Sequence, residues 1–434
     1  MRHTKLAQVR VASLVSLLLM FAAVLAGVVT SAAAAVRGRT IDVFETTNGA
    51  SPNAGLILDS SGNLYGTTPN GGSYGYGVVF ELSPTFAGWV NAVLYSFCES
   101  TCPQGSSPQS ALIFDSDGNL YGTTAAGGTY GSGTVFKLSP ASSGGWTESV
   151  LYSFCATANC ADGAHPTASV IFGERGKLYG TTSAGGQNLC NGSGCGVVFE
   201  LQRNDNGQWS ENVLYAFTGG NDGGSPIAGL VSDSFGHLYG TTWLGGAQSS
   251  GVVFELTPVS GAWEQSVLHT FCSAVSCSDG AYPWATLILG PDGSLYGTTT
   301  LGGKETYAVG LGYGVVFKLA LTSGVWSESV LQAFDGQDGE GPYDSVIIDS
   351  LGNLYGTTSL GGDYSCNSVY GCGLVFVLRP TSGGGWEEAA LVVFSGGDEG
   401  LGPYANLVMD PRGHLYGTTE YGGARGLGTV FELQ

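Results

Sequence analysis

Residues 62–82 read GNLYGTTPNGGSYGYGVVFEL, and the core of that run, Leu64-Tyr65-Gly66-Thr67-Thr68, occurs seven times in the chain. The later copies begin at Leu120, Leu178, Leu238, Leu295, Leu354 and Leu415, with intervals of 56 to 61 residues. Self-similarity at such a period means that copies of one supersecondary unit are packed against each other. Each unit offers four short strand candidates, which in the first copy are 54–59 (AGLILD), 64–68 (LYGTT), 78–82 (VVFEL) and 89–97 (WVNAVLYSF). They are rich in β-branched and aromatic residues and bounded by Gly, Pro, Asn and Ser, the pattern of strands. Gly62 and its six counterparts hold one place in the first turn, where a positive φ closes a short hairpin.

Four-stranded units repeated around an axis make a β-propeller. The seventh unit stops at Gln434 directly after its third strand, while residues 41–44 (IDVF) match the LYSF end of the missing fourth strand. One N-terminal strand would complete the last blade and leave no open edge to aggregate. The expectation is an all-β, seven-bladed propeller of four-stranded blades forming one domain over 36–434. The pattern Gly-x-Leu-Tyr-Gly-Thr-Thr, then Gly-Gly, then Gly-x-Val-Phe-x-Leu resembles the GloVer (Gloeobacter–Verrucomicrobia) tandem repeat of bacterial extracellular proteins, over about residues 41–434. The resemblance implies location and repeat type, with no activity or catalytic residue attached. Family members often carry C-terminal anchoring signals, and the absence of one before Gln434 points to a released protein.

Glycine contributes 73 of the 434 residues without a three-residue period, which excludes collagen. A hydrophobic content of 43% excludes a disordered chain. The formal charge of −20, with 14 basic residues against 34 acidic ones, argues against nucleic acid as a partner. Arg2, Lys5 and Arg10 precede an apolar run over 11–29 and small residues over 31–35, the build of a secretory signal peptide cleaved after Ala33 or Ala35. An uncleaved anchor is the alternative. The expected product is a secreted or periplasmic monomer with no membrane span in the mature chain.

The ten cysteines form five close pairs: Cys98/Cys102, Cys155/Cys160, Cys190/Cys195, Cys272/Cys277 and Cys366/Cys372. In an exported protein these read as disulfides, each worth about 2 kcal/mol in the chain-entropy treatment. Zinc is the weaker alternative, because the five histidines are scattered and no two-plus-two cysteine spacing occurs. All five pairs belong to loops that emerge on one face.

A residue present in every blade cannot by itself mark one site, so function is sought where the repeat breaks. After the recurrent proline come Asn53, Gln109, Thr167, Ile227, Trp284, Tyr343 and Tyr404. After Thr-Thr come Pro69, Ala125, Ser183, Trp243, Thr300, Ser359 and Glu420, the last followed by Tyr421. Aromatics therefore cluster in blades 4 to 7, joined by Asp344, Asp363 and Glu420. The expected role is a ligand surface for an extracellular glycan or a surface protein, with rings stacking and carboxylates accepting hydroxyls. The alternative is that Trp284, Tyr343 and Tyr404 only plug the channel mouth. Asp162, Asp222, Asp279 and Asp338, with Asp398, could instead ring the channel entrance and hold Ca²⁺, although Asx-turn capping explains them too. No other cofactor is expected. No nucleophile motif, phosphate loop or dinucleotide fingerprint is present. A glycoside hydrolase, lyase or lactonase reading would rest on Asp344 and Glu420 as a carboxylate pair. A structural surface or matrix role is the third possibility.

Overall fold

The computed structural model describes residues 37–97, 103–186, 190, 192–304, 312–367 and 369–434. The leader expected over 1–35 and most of the insertion at 304–311 lie outside the described residues. So does the disulfide expected between Cys98 and Cys102, since neither Cys98 nor Cys102 is a described residue. Residues Gly38–Gln434 form one unit of seven four-stranded antiparallel sheets, the blades of a propeller. Helical structure among the described residues is limited to four three-residue 3₁₀ turns. The N-terminal strand β1 (Gly38–Val43) pairs antiparallel with Thr429–Leu433 and supplies the outer strand of the seventh blade, closing the ring. Its register breaks between Thr40 and Asp42, and every other outer strand breaks at the matching place.

The first blade runs outward from the axis as β2 (Ile57–Leu58), β3 (Leu64–Thr68), β4 (Val78–Thr85) and β5 (Gly88–Ser96). The innermost strand is two residues long, against the six expected over 54–59. Its upper half is tied to the preceding blade by a threonine side chain instead. In six of the seven blades the first threonine of Leu-Tyr-Gly-Thr-Thr donates its hydroxyl to a backbone carbonyl of the next blade's inner segment, while the Thr418 hydroxyl of the seventh is buried without a partner. Thr67 reaches Ser110, Thr123 reaches Ala168, and four further pairs follow, at 2.7 to 3.1 Å.

Every other letter of the pentapeptide also has a repeated physical task. The second threonine donates to the carbonyl two residues on, in all seven blades, at 2.8 to 3.0 Å. In five blades the tyrosine hydroxyl meets a turn aspartate, as in Tyr121 to Asp115 at 2.9 Å. That aspartate also accepts two backbone N–H groups of its own turn, as Asp59 does from Ser61 and Asn63. The glycine is needed for space: a Cβ on Gly66 would sit 2.7 Å from Phe80 Cζ and 2.8 Å from Leu56 Cδ2. The leucine is buried in the blade interface.

The phenylalanine admitted by that glycine forms the lock between blades. Phe97, at the end of β5, meets Phe136 of the next blade edge to face, and the motif recurs at every interface with centroids 5.0 to 5.3 Å apart. Phe44, directly after β1, meets Phe80 and so closes the seventh interface in the same way. Such pairs contribute about 0.5–1.5 kcal/mol each beyond the area they bury. The recurrent tryptophans reach the preceding blade's tyrosine, as Trp89 does to Tyr416 at 5.8 Å.

Phe44→Ala therefore destabilises the protein by about 3–5 kcal/mol, whereas Phe86→Ala, at a fully exposed hairpin tip, leaves the unfolding midpoint unchanged. Chemical denaturation of both variants checks this.

The outer rim carries a second repeated feature. Glu148, Glu211, Glu328 and Glu388 each lie two residues after a recurrent tryptophan. In each the Oε1 atom is buried without a hydrogen-bond partner. Burial pushes these carboxyls up to about 7, 8, 7 and 7, respectively. Aspartates add to the shift, Asp162 for Glu211, Asp279 for Glu328, and Asp338 with Asp335 for Glu388, where Lys304 opposes it. A carboxyl raised in the fold above its unfolded value makes the folded state hold more protons, so stability falls as pH rises through that window. Asp115, Asp162 and Asp349, held low by hydrogen bonds against the cost of burial, act oppositely below about pH 4. The melting temperature should peak near pH 4–5 and decline toward pH 8. Replacing the four glutamates by glutamine should flatten the decline in a pH series of thermal melts.

Candidate functional site

The axial channel opens on the face that carries the loops between second and third strands and between successive blades. Backbone alternation in the inner segment sets its wall. The recurrent proline is buried, the next residue is half-exposed toward the axis, the one after is buried, and the pattern repeats. The result is a cavity of about 410 Å³ lined by residues of all seven blades. No Lys, Arg or His is among them.

The aromatics expected from the broken repeat come together here. Trp243 meets Trp284 at 5.7 Å, Trp284 meets Tyr343 at 5.6 Å, and Tyr343 meets Tyr404 at 5.1 Å, all edge to face. The four rings make an arc over blades 4 to 7. Trp284, Tyr343 and Tyr404 line the cavity without filling it, and Trp284 is 41% exposed. Opposite them, blades 1 to 3 present Asn53, Gln109 and Thr167.

Asp344 and Glu420 also line the cavity. Asp344 stands where five blades have alanine. Its Oδ1 accepts the Ser345 N–H at 2.7 Å, and its Oδ2 accepts the Asn406 N–H of the next blade at 2.9 Å. Burial raises this carboxyl to about 6 in spite of those bonds. Glu420 is half-buried beside Tyr404 and exposed Tyr421, and burial raises it as well. Asp363 lies apart, in a loop of blade 6, where its oxygens accept the Ser365 N–H and hydroxyl at 2.7 and 2.9 Å.

The aspartates that could ring the channel entrance do not line the cavity. Asp162 turns outward to accept from Tyr152, Ala156 and Thr157, and Asp222 from Tyr215 and Thr218. Asp279 binds Ser273, Asp338 binds Gln332 and the Asp335 N–H, and Asp398 is exposed on a turn. The first four are held by groups of their own loop or adjoining strand. Among the described residues no group of three or more His, Cys, Asp or Glu side chains could hold a metal ion.

Four disulfides stand on the channel-mouth face: Cys155–Cys160, Cys190–Cys195, Cys272–Cys277 and Cys366–Cys372. The five pairs expected from the sequence thus become four among the described residues. The fifth is not among them because Cys98 and Cys102 both lie outside the described residues. The opposite face has a larger hollow of about 1520 Å³, lined by repeat turns including Asp59, Asp349 and Asp410. The carboxylates of those turns already serve their own backbone.

One residue of the mouth escaped the sequence reading. Tyr282 lies 6.2 Å from Trp243 and extends the arc. It precedes the recurrent proline, a position with φ between 54° and 66° in all seven blades. The others there are Ser51, Ser107, His165, Ser225, Gly341 and Gly402. A bulky ring on left-handed backbone costs about 1–3 kcal/mol and persists where the surroundings enforce it. Comparing that position blade by blade would have found it. Tyr282→Gly should melt at or above the wild-type temperature while weakening any ligand held at the arc, a split that calorimetry and a binding titration together would read.

Three overlapping stretches of the chain, residues 26–204, 188–365 and 306–434, match the model of the Gloeobacter/Verrucomicrobia repeat. No curated protein matches the sequence. Among solved structures, one from Bacteroides uniformis described provisionally as a 6-phosphogluconolactonase is similar at 18% identity with a TM-score of 0.52, covering 82% of this chain and 88% of that one. A protein from Lactobacillus plantarum is similar at 16% identity with a TM-score of 0.49, covering 79% and 85%. At 18% identity the likeness to the Bacteroides uniformis structure is one of fold.

Proposed function

We propose, from the premise that the chain belongs to the Gloeobacter/Verrucomicrobia repeat family, that it is a secreted, non-catalytic binding module for an extracellular glycan. The channel mouth is its site. The observation that carries this reading is the arc of Trp243, Trp284, Tyr343 and Tyr404 on the rim of an open cavity. Aromatic rings offer broad contact area at low entropic cost and suit the apolar faces of sugar rings. The disulfides on this face support an oxidising compartment and a rigid rim. The basic and apolar start of the chain supports export.

Two features weigh against carrying a lactonase activity over from the fold. A phosphorylated lactone would find no Lys, Arg or His in the cavity lining. Both oxygens of Asp344 are engaged by backbone N–H groups of two blades, which makes it a clip between blades 6 and 7. An envelope protein is the second partner that the same exposed rings would suit.

The test is retention of the oxidised protein on insoluble polysaccharides beside Trp284→Ala. Loss of affinity by about tenfold or more in the variant, at unchanged melting temperature, with no sugar released on long incubation, is the expected result. Released sugar would move the protein to the enzymes and make Glu420 the next target.

A further inference from the structure

We infer that the cavity takes the end of a glycan chain, inserted along the ring axis, and does not take an internal segment. The inference rests on the glycan reading above and adds the mode of recognition. Its first support is topological. The wall is built by all seven blades, and β1 closes the ring, so there is no lateral slot through which a continuing polymer could leave. A cleft open at both sides binds chains along their length; a closed ring admits only what can enter through its mouth.

Depth is the second support. The lining runs along the inner segment from Trp284 to Ile288, about 13 Å at strand rise, enough for a terminal sugar and its neighbour. Below the aromatic rim the wall carries the small residues Ser169, Gly229 and Ser345 beside Thr286, Leu287 and Asn406, and the cavity they bound still holds about 410 Å³.

The third support is the division of the wall. Blades 5 to 7 present Trp284, Tyr343 and Tyr404, while Asn53, Gln109 and Thr167 face them from blades 1 to 3. A pyranose standing on end in the cavity has one apolar face and a rim of hydroxyls. Its apolar face meets the rings, and its hydroxyls meet the amides and the threonine. Laid flat across the mouth, the same sugar would meet the rings and lose the polar half.

The experiment uses cellulose, xylan, β-1,3-glucan, chitin and chitosan as probes for the full secreted protein. The soluble form of a retained polymer is cut to shorter lengths with an endo-acting hydrolase and used as competitor. If ends are bound, potency at equal sugar mass rises with the molar concentration of ends, so chains tenfold shorter compete about tenfold better. Thr167→Trp and Gln109→Trp obstruct the axis from the polar side without touching the arc, and each should abolish retention with the melting temperature kept. Unchanged or falling potency on shortening, or full retention by both folded variants, overturns end recognition and leaves glycan binding standing. Retention of none of the five probes by the wild type overturns both.

Discussion

A blade of this protein cannot bury its own faces, and the contact that resolves this is the edge-to-face pair of phenylalanines across each interface. Phe97 on Phe136 and its five later counterparts hold the blades in sequence, and Phe44 on Phe80 joins the last to the first. The glycine of the repeat follows from it, because a side chain on Gly66 would occupy the volume of the Phe80 ring. The threonine follows too: with the rings fixing the spacing, the Thr67 hydroxyl falls within 2.9 Å of the Ser110 carbonyl on the neighbouring blade. Closure by β1 then gives the seventh interface the same phenylalanine pair, though not the threonine bond, and leaves the axis as an open cavity.

This dependence explains why so much of the fold was legible in the sequence. Each repeated residue has a repeated contact, so spacing alone reports the unit, its strands and the blade that the N-terminus completes. The inner strand was read too long because its upper half is bonded to the preceding blade, a partner that local pattern does not reveal. By spacing alone the aspartates before the recurrent proline could either ring the channel or cap their own turns. In space the loop folds back, and Asp162 is spent on Tyr152 and Thr157 of its own blade. The glutamates of the outer rim carried no sequence signal, since a Trp-x-Glu strand start looks solvent-facing until the preceding blade covers it.

The candidate site was legible for the opposite reason, through departures from the repeat. Trp284, Tyr343 and Tyr404 stand where blades 1 to 3 carry polar residues, and the structure gathers them into one arc with Trp243. Glu420 and Asp344 share the cavity, but with different roles. Asp344 is bonded on both oxygens, whereas the burial of Glu420 is relieved chiefly by Tyr421. Asp363, read from the same pattern, is taken up by Ser365 in a loop away from the axis.

The asymmetry is what gives the closed ring a direction. A seven-fold scaffold with seven identical rims would offer a ligand seven equal orientations and hold none of them firmly. Here one half of the rim is aromatic and the other polar, so a ligand with an apolar and a hydroxyl-bearing side has one orientation that satisfies both. The left-handed position before each proline shows where that asymmetry is borne. Blades 6 and 7 fill it with Gly341 and Gly402, at no steric cost, and place their aromatics two residues on. Blade 5 places Trp284 in the same way and adds Tyr282 at the strained position itself. A scaffold selected for stability alone would have glycine or serine there, as every other blade except the third does. A ring on that backbone carries a steric cost, and its aromatic neighbour is Trp243 at the mouth.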